Sequence, residues 1–183
     1  LVAPDKFKGS LSAQEVCDAV RQGLLSADKS LMVVSLPLAD GGEGTCELLT
    51  SYSGGSMVHV NVRDPLFRNF ESGYGISRDG KIAFLEMAKA SGLQLLTKDE
   101  RNPLINSTVG TGDLIRHALD NGVERIIMGV GGSATNDGGM GMAHALGAVF
   151  YSASGDKLIP VGENMILVEA IDLSGVHPRL KDV

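Results

Sequence analysis

The stretch Arg125-Ile-Ile-Met-Gly-Val-Gly-Gly-Ser-Ala-Thr-Asn-Asp-Gly-Gly-Met-Gly141 decides how the chain is organised. Ile126, Ile127, Met128 and Val130 form a short apolar run of the kind that makes a strand buried on both faces. Glycines fall at 129, 131, 132, 138, 139 and 141, with Ser133, Thr135, Asn136 and Asp137 set among them. Met142, Ala143, Ala145, Leu146 and Ala148 then favour a helix. The expectation is strand, glycine-rich loop, helix. Without β-carbons in the way, an anion can approach bare backbone N–H groups, and the helix start adds unpaired N–H groups and the positive end of its dipole. Such a loop suits phosphate. The plainer alternative is that the glycines only let the backbone turn sharply and pack a helix close to a strand.

Two better-known motifs compete for this stretch. No Gly-Lys-Ser/Thr follows the glycines, so it is not a Walker A loop. Gly129-Val-Gly131-Gly-Ser-Ala134 matches the dinucleotide pattern G-x-G-x-x-G/A in form. That pattern needs its helix to open within those residues, and Thr135-Asn-Asp-Gly-Gly139 would break one.

Similar loops recur toward the N-terminus. Leu1 to Ala3 has the look of a strand end, followed by Pro4-Asp-Lys-Phe-Lys-Gly9 and a helix marked by the capping-box spacing of Ser12 and Glu15. Lys6 and Lys8 thus sit in a loop after a strand, where α/β proteins put ligand-binding groups, unless they are merely two solvated lysines. Met32 to Leu38 is expected as the next strand, then Ala39-Asp-Gly-Gly-Glu-Gly-Thr45, then a helix stopped at Gly54-Gly55. Asp40 and Glu43 could hold Mg²⁺ or accept a proton from an attacking hydroxyl. A helix cap and a dipole-complementing charge would account for the carboxylates alone, but not for the three glycines beside them.

From about residue 57 the pattern changes. Val58, Val60 and Val62 alternate with His59 and Asn61, the period of a half-buried strand. Runs at Phe70 to Ser77 and Ile82 to Met87 are joined through Asp79-Gly80, a hairpin signal. An antiparallel meander is expected here, with a domain change near residue 56. Glu86 lies in an apolar strand and needs a partner or a job. Asn102-Pro-Leu-Ile-Asn-Ser-Thr-Val-Gly-Thr-Gly112 is expected as a further glycine-bearing loop, with Ser107 and Thr111 as anion donors or plain caps. A helix stopping at Asn121-Gly122 follows.

The totals set limits. In 183 residues, 43% are hydrophobic and 21% charged, ordinary values for a globular chain with a full core. Aromatics are 4% with no Trp, and the formal net charge is −6. Both argue against a nucleic-acid or anionic-membrane partner. Cys17 and Cys46 lack metal-ligand spacing and are expected as reduced core residues, with cytoplasmic location as the default. His59, His117, His144 and His177 have no metal or triad spacing. The start at Leu1 and the stop at Val183 carry no terminal signal, and a piece of a longer protein is expected.

Taken together, Ala3-Pro-Asp-Lys-Phe-Lys-Gly-Ser-Leu-Ser-Ala13, Pro37-Leu-Ala-Asp-Gly-Gly-Glu-Gly-Thr45, Asn102-Pro-Leu with Gly110-Thr-Gly112, and Gly129-Val-Gly-Gly-Ser-Ala-Thr-Asn-Asp-Gly-Gly139 resemble the type 1 glycerate kinases. Asp64-Pro-Leu66, Glu86-Met-Ala with Ala90-Ser-Gly-Leu93, and Ile171-Asp-Leu-Ser-Gly175 fit as well. The resemblance runs through the chain in order. Phe67 departs from it where glycine is usual, as does 162–166. That family phosphorylates D-glycerate with ATP and Mg²⁺, its bacterial members mostly giving 2-phosphoglycerate, and its members are considerably longer.

The resemblance implies two α/β domains: residues 1–56 as the N-terminal part of a discontinuous flavodoxin-like domain, and residues 57–183 as an inserted, incomplete α/β domain carrying the meander. Lys6 and Lys8 would offset charge on the transferring phosphoryl group, and Asp40 or Glu43 would activate the hydroxyl or bind Mg²⁺, with Asp137 a second metal candidate. Gly41, Gly42, Ser107, Thr111, Gly131, Gly132, Ser133, Thr135 and Asn136 would cradle phosphate or glycerate oxygens. Two other functions stay open: a dinucleotide-binding oxidoreductase resting on the 129–134 pattern, and a non-catalytic small-anion binding fragment.

Overall fold

At the N-terminus, Val2 pairs in parallel with the segment around Ser35, donating to Val34 and accepting from Leu36 at 2.8 Å each, while Leu38 donates to Pro4. The computed structural model, which describes residues 1–183, keeps this pairing short, so most of the expected Met32 to Leu38 strand has no ladder. Helix α1 (Ala13–Ala27) follows. Its capping box is complete: Ser12 Oγ accepts from the Glu15 N–H, and the Glu15 carboxylate accepts from the Ser12 N–H at 2.7 Å. Val16 and Cys17 are the residues it buries.

Helix α2 (Thr45–Tyr52) precedes strands β1 (Ser56–Arg63), β2 (Asn69–Ile76) and β3 (Ile82–Glu86). The three strands form the expected antiparallel meander, with Val62 opposite Phe70 and Gly75 opposite Phe84. In the turn between β1 and β2, Phe67 adopts φ 63°, a left-handed conformation costly for a side chain with a β-carbon. This explains why glycine suits the position. Asp64 holds the turn by accepting from the Leu66 and Arg68 N–H groups.

A short helix α3 (Ala88–Ser91), helix α4 (Val109–Asp120) and strand β4 (Arg125–Gly129) complete the main layer. β4 pairs in parallel with β3, giving a mixed sheet ordered β1-β2-β3-β4. Helix α5 (Met140–Ala145) packs on α4. A second small sheet joins β5 (Val149–Tyr151) to β6 (Ala170–Asp172) in antiparallel register.

The core lies between the main sheet and α4, and includes Val62, Tyr74, Leu85, Leu114, Leu119 and Val123, all fully buried. Each such side chain contributes on the order of 1.5–3 kcal/mol. α2, on the N-terminal side of residue 56, packs on this same sheet, and Cys46 Sγ donates to the Phe84 carbonyl.

One expected loop is corrected. α4 begins at Val109, so Gly110, Thr111 and Gly112 form its first turn and lie inside the protein. A β-carbon at Gly112 would stand 2.5 Å from the Met142 carbonyl oxygen and 2.6 Å from the Ala145 methyl. The glycines are there to let α5 approach α4, a tertiary demand that overrides their poor helix propensity.

Candidate functional site

Glu86 and Gly129 are neighbours in the β3–β4 register, at the carboxyl ends of two parallel strands. Ligands of open α/β sheets bind beyond such ends. Immediately past β4, Gly131 donates its N–H to the Gly41 carbonyl at 2.9 Å, so the 129–136 loop and the 40–44 loop lie on one another. A β-carbon at Gly129 would stand 2.5 Å from the Gly41 oxygen, and one at Gly131 would stand 2.7 Å from Gly42 Cα. At these two positions glycine is required by the approach of backbone to backbone. The Gly131 N–H is spent on that approach.

Lys6 reaches into this junction. Its Nζ lies 3.2 Å from Asp40 Oδ1 and 3.6 Å from Asp5 Oδ1. Partial burial opposes its charge, but the bond to Asp40 and the proximity of Asp5 hold its pKa above the ordinary lysine value. Asp40 Oδ1 also accepts from the Gly42 N–H at 2.9 Å. That amide first, and Lys6 second, hold the carboxyl below the usual range. Asp40 does not cap α2: the N-cap is Gly44, in a left-handed conformation with no side-chain cap. Asp40 is exposed, and its Oδ2 takes no hydrogen bond from the chain.

Beside the junction is a cavity of about 730 Å³, bounded by the 5–14 segment on one side and by Glu43, Gly44, Glu47, Glu86, Lys89 and Gln94 on the other. Lys6, Lys8 and Glu43 all face it. So does Glu86, 1% exposed, whose Oε2 accepts from the Gly44 N–H at 3.0 Å and the Cys46 N–H at 3.3 Å. A carboxylate from another strand therefore supplies the cap that Asp40 and Glu43 do not. Burial pushes the Glu86 pKa up, with the two amides and Lys89 pulling the other way. Lys89 is paired with Glu47. Cys46 is buried beside them and its thiol is pushed up to about 11. The one advance signal for Glu86 is a charged residue inside an apolar strand; nothing local identifies Lys89 or Gln94.

The remaining candidates divide. Gly132 is exposed; Ser133 Oγ and Thr135 Oγ1 bond each other at 2.8 Å and are partly buried, and Asn136 is exposed. This arm is pinned by Leu93 donating to the Gly132 carbonyl and Ala134 donating to that of Ser91. Ser107 and Thr111 are fully buried and do not line the cavity: Ser107 Oγ donates to the Pro160 carbonyl, and Thr111 Oγ1 bonds Ser91 Oγ. They hold the interior together. Asp137 is also redirected. It is 1% exposed, and its oxygens accept from the N–H groups of Thr108, Gly139 and Gly141 and from Thr108 Oγ1. With its lone pairs committed, it ties α4 to the 137–141 turn and has no side open to a metal.

No group of three or more His, Cys, Asp or Glu side chains could hold a metal ion. Ala134 lies in the loop while α5 begins at Met140, so the dinucleotide pattern lacks its helix start. Both cysteines are free and buried, and no helix is long and apolar enough to cross a membrane.

The family model described as the glycerate kinase family matches residues 1–183. Glycerate 2-kinase of Escherichia coli (strain K12) is 47% identical over 182 residues, and glycerate kinase of Bacillus subtilis (strain 168) is 46% identical over 183 residues. A Salmonella typhimurium LT2 crystal structure carrying the provisional name glycerate kinase 2 superposes with a TM-score of 0.85 at 49% identity, covering 98% of this chain and 48% of that one. The chain spans about half the length of the curated relatives it matches, 48% in both cases. With a match over its whole length and relatives well above 40% identity, the chain belongs to the glycerate kinase family.

Proposed function

We propose that this chain is the portion of a glycerate kinase that carries the acceptor end of the site, for ATP-dependent phosphorylation of D-glycerate, with 2-phosphoglycerate the favoured product. The observation that supports it most is the meeting of the Asp40–Gly44 loop and the Gly129–Asn136 loop at Lys6, beside a cavity with further charged groups. Phosphoryl transfer needs positioned charge more than covalent help from the protein. Lys6 and Lys8 supply that charge for an anionic substrate; the hydroxyls of Ser133 and Thr135, with Asn136 and Gly132, are the polar groups of the loop joined to Gly41.

ATP is the donor in this reading, and Mg²⁺ accompanies its phosphates. The chain has no cage for the ion, which agrees with the habit of Mg²⁺ of binding through one or two carboxylates plus substrate phosphates. Asp40, through its free Oδ2, is the residue that would hold it, and the ion would neutralise charge on the transferring group. The finer domain picture belongs here too: residues 1–56 as part of a discontinuous flavodoxin-like unit, and 57–183 as the inserted unit.

The test is a coupled ADP-release assay with D-glycerate, run on this chain and on the full-length protein. D-glycerate-dependent ADP release by the full-length protein is expected. No release there, with tight glycerate binding retained, would move the chain to a non-catalytic anion-binding role.

A further inference from the structure

Glu86 is a buried carboxylate that the proposed chemistry leaves unused. Its Oε2 is held by the Gly44 and Cys46 N–H groups, whereas Oε1 takes no hydrogen bond from the chain. The residue lines the cavity that Lys6 and Glu43 also face. It stands next to Gly129 in register, two residues before the Gly131 that joins the loops. A rigidly anchored carboxylate with one oxygen left toward a ligand cavity has the geometry of a proton acceptor.

We propose that Glu86 is the catalytic base, its Oε1 accepting the hydrogen of the attacking glycerate hydroxyl. The inference rests on the kinase reading above. In the step, the hydroxyl oxygen bonds the γ-phosphorus of ATP while the bond from that phosphorus to the β,γ-bridging oxygen breaks. The electron pair of that bond leaves with ADP, and the hydroxyl proton passes to Glu86 Oε1. The charged groups that share the cavity with Glu86 are Glu47 and Lys89, which are paired, Glu43 on the same side, and Asp5, Lys6 and Lys8 on the 5–14 segment, with the neutral Cys46 thiol beside it. Burial raises the carboxyl's proton affinity above that of an ordinary glutamate, the direction that favours taking up a proton.

Glu86→Gln isolates this role. The glutamine carbonyl can still accept from the Gly44 and Cys46 N–H groups, but the side chain cannot take a proton. In the full-length protein, E86Q is expected to lose about 100-fold or more in kcat, with a small change in glycerate KM. The acidic limb of the pH–rate profile should vanish with it. A kcat within threefold of wild type overturns the base assignment and leaves the kinase reading standing. A second measurement covers a variant that folds poorly: the ¹³C carboxyl resonance of Glu86 in the wild type, followed as D-glycerate is added. It is expected to shift. A resonance unmoved by saturating D-glycerate, in a wild type that releases ADP, overturns the base assignment and leaves the kinase reading standing; a wild type that releases no ADP overturns both.

Discussion

Gly131 donates its backbone N–H to the carbonyl oxygen of Gly41 at 2.9 Å, joining two loops ninety residues apart in the chain into one surface. No side chain fits between them. Gly131→Ala would bring a methyl to 2.7 Å from Gly42 Cα, and both neighbours are backbone that cannot swing aside. The loops must part, moving Asp40 relative to Lys6. The expected cost is about 1–3 kcal/mol in urea unfolding, as for other overpacked sites, together with at least tenfold lower kcat/KM for D-glycerate. A variant as stable and as active as wild type would show that the contact is slack.

Lys6 and Asp40 allow stability to be separated from activity. Their pair is 3.2 Å long, with the Asp40 side chain exposed to screening by solvent, so it contributes little to folding. Asp40→Asn keeps an oxygen for the Gly42 N–H and removes only the charge. We expect an unchanged melting temperature and a kcat lower by about 100-fold or more. Lys6→Met should show the same division. Near-normal turnover in either variant, measured by ADP release, would remove that residue from the site.

Much of the framework could be read from local patterns, because local physics decides it. The alternation of Val58, Val60 and Val62 gave β1 its half-buried face, Asp79-Gly80 gave the hairpin, and Ser12 with Glu15 gave the start of α1. What failed was set by partners distant in sequence. Gly110-Thr-Gly112 has the composition of a loop, yet α5 needs those glycines in order to pack, so they sit inside α4. Asp137 among glycines resembles a metal ligand until Thr108 claims it. Spacing places Lys6 and Asp40 each beyond a strand, but not that one would hold the other. Glu86 caps α2 from some forty positions downstream, and no helix-start rule reaches that far.

The reassignment of Asp137 has a measurable consequence. Its two oxygens accept from three backbone N–H groups and one hydroxyl, all buried except the partly buried Gly139 N–H. In Asp137→Asn an NH₂ would face donors, leaving at least one of them unpaired. The expected loss is about 2–3 kcal/mol in denaturant unfolding, with the same magnesium dependence of activity per folded molecule. If stability were unchanged while the magnesium requirement rose tenfold, Asp137 would be a metal ligand after all.

The pH dependence of stability tests the burial of Glu86 without any substrate. Its folded pKa is raised above the ordinary glutamate value of 4.5, chiefly by burial. Between 4.5 and that higher folded pKa, the native protein holds a proton on Glu86 that the unfolded chain has released. Stability therefore falls as pH rises through that window, because the unfolded state binds fewer protons there. Asp40, whose pKa is lowered, acts in the opposite sense and at lower pH: its contribution is present above its unfolded value and lost on acidification through its folded one. Urea unfolding of wild type and E86Q from pH 4 to 8 separates the two. The wild-type curve should decline across the window above 4.5, and the E86Q curve should be flatter there, because a neutral amide has no proton to lose. Parallel curves for the two proteins would mean that Glu86 ionises in the folded state as easily as in water, and a site that well solvated could not tune it as a base.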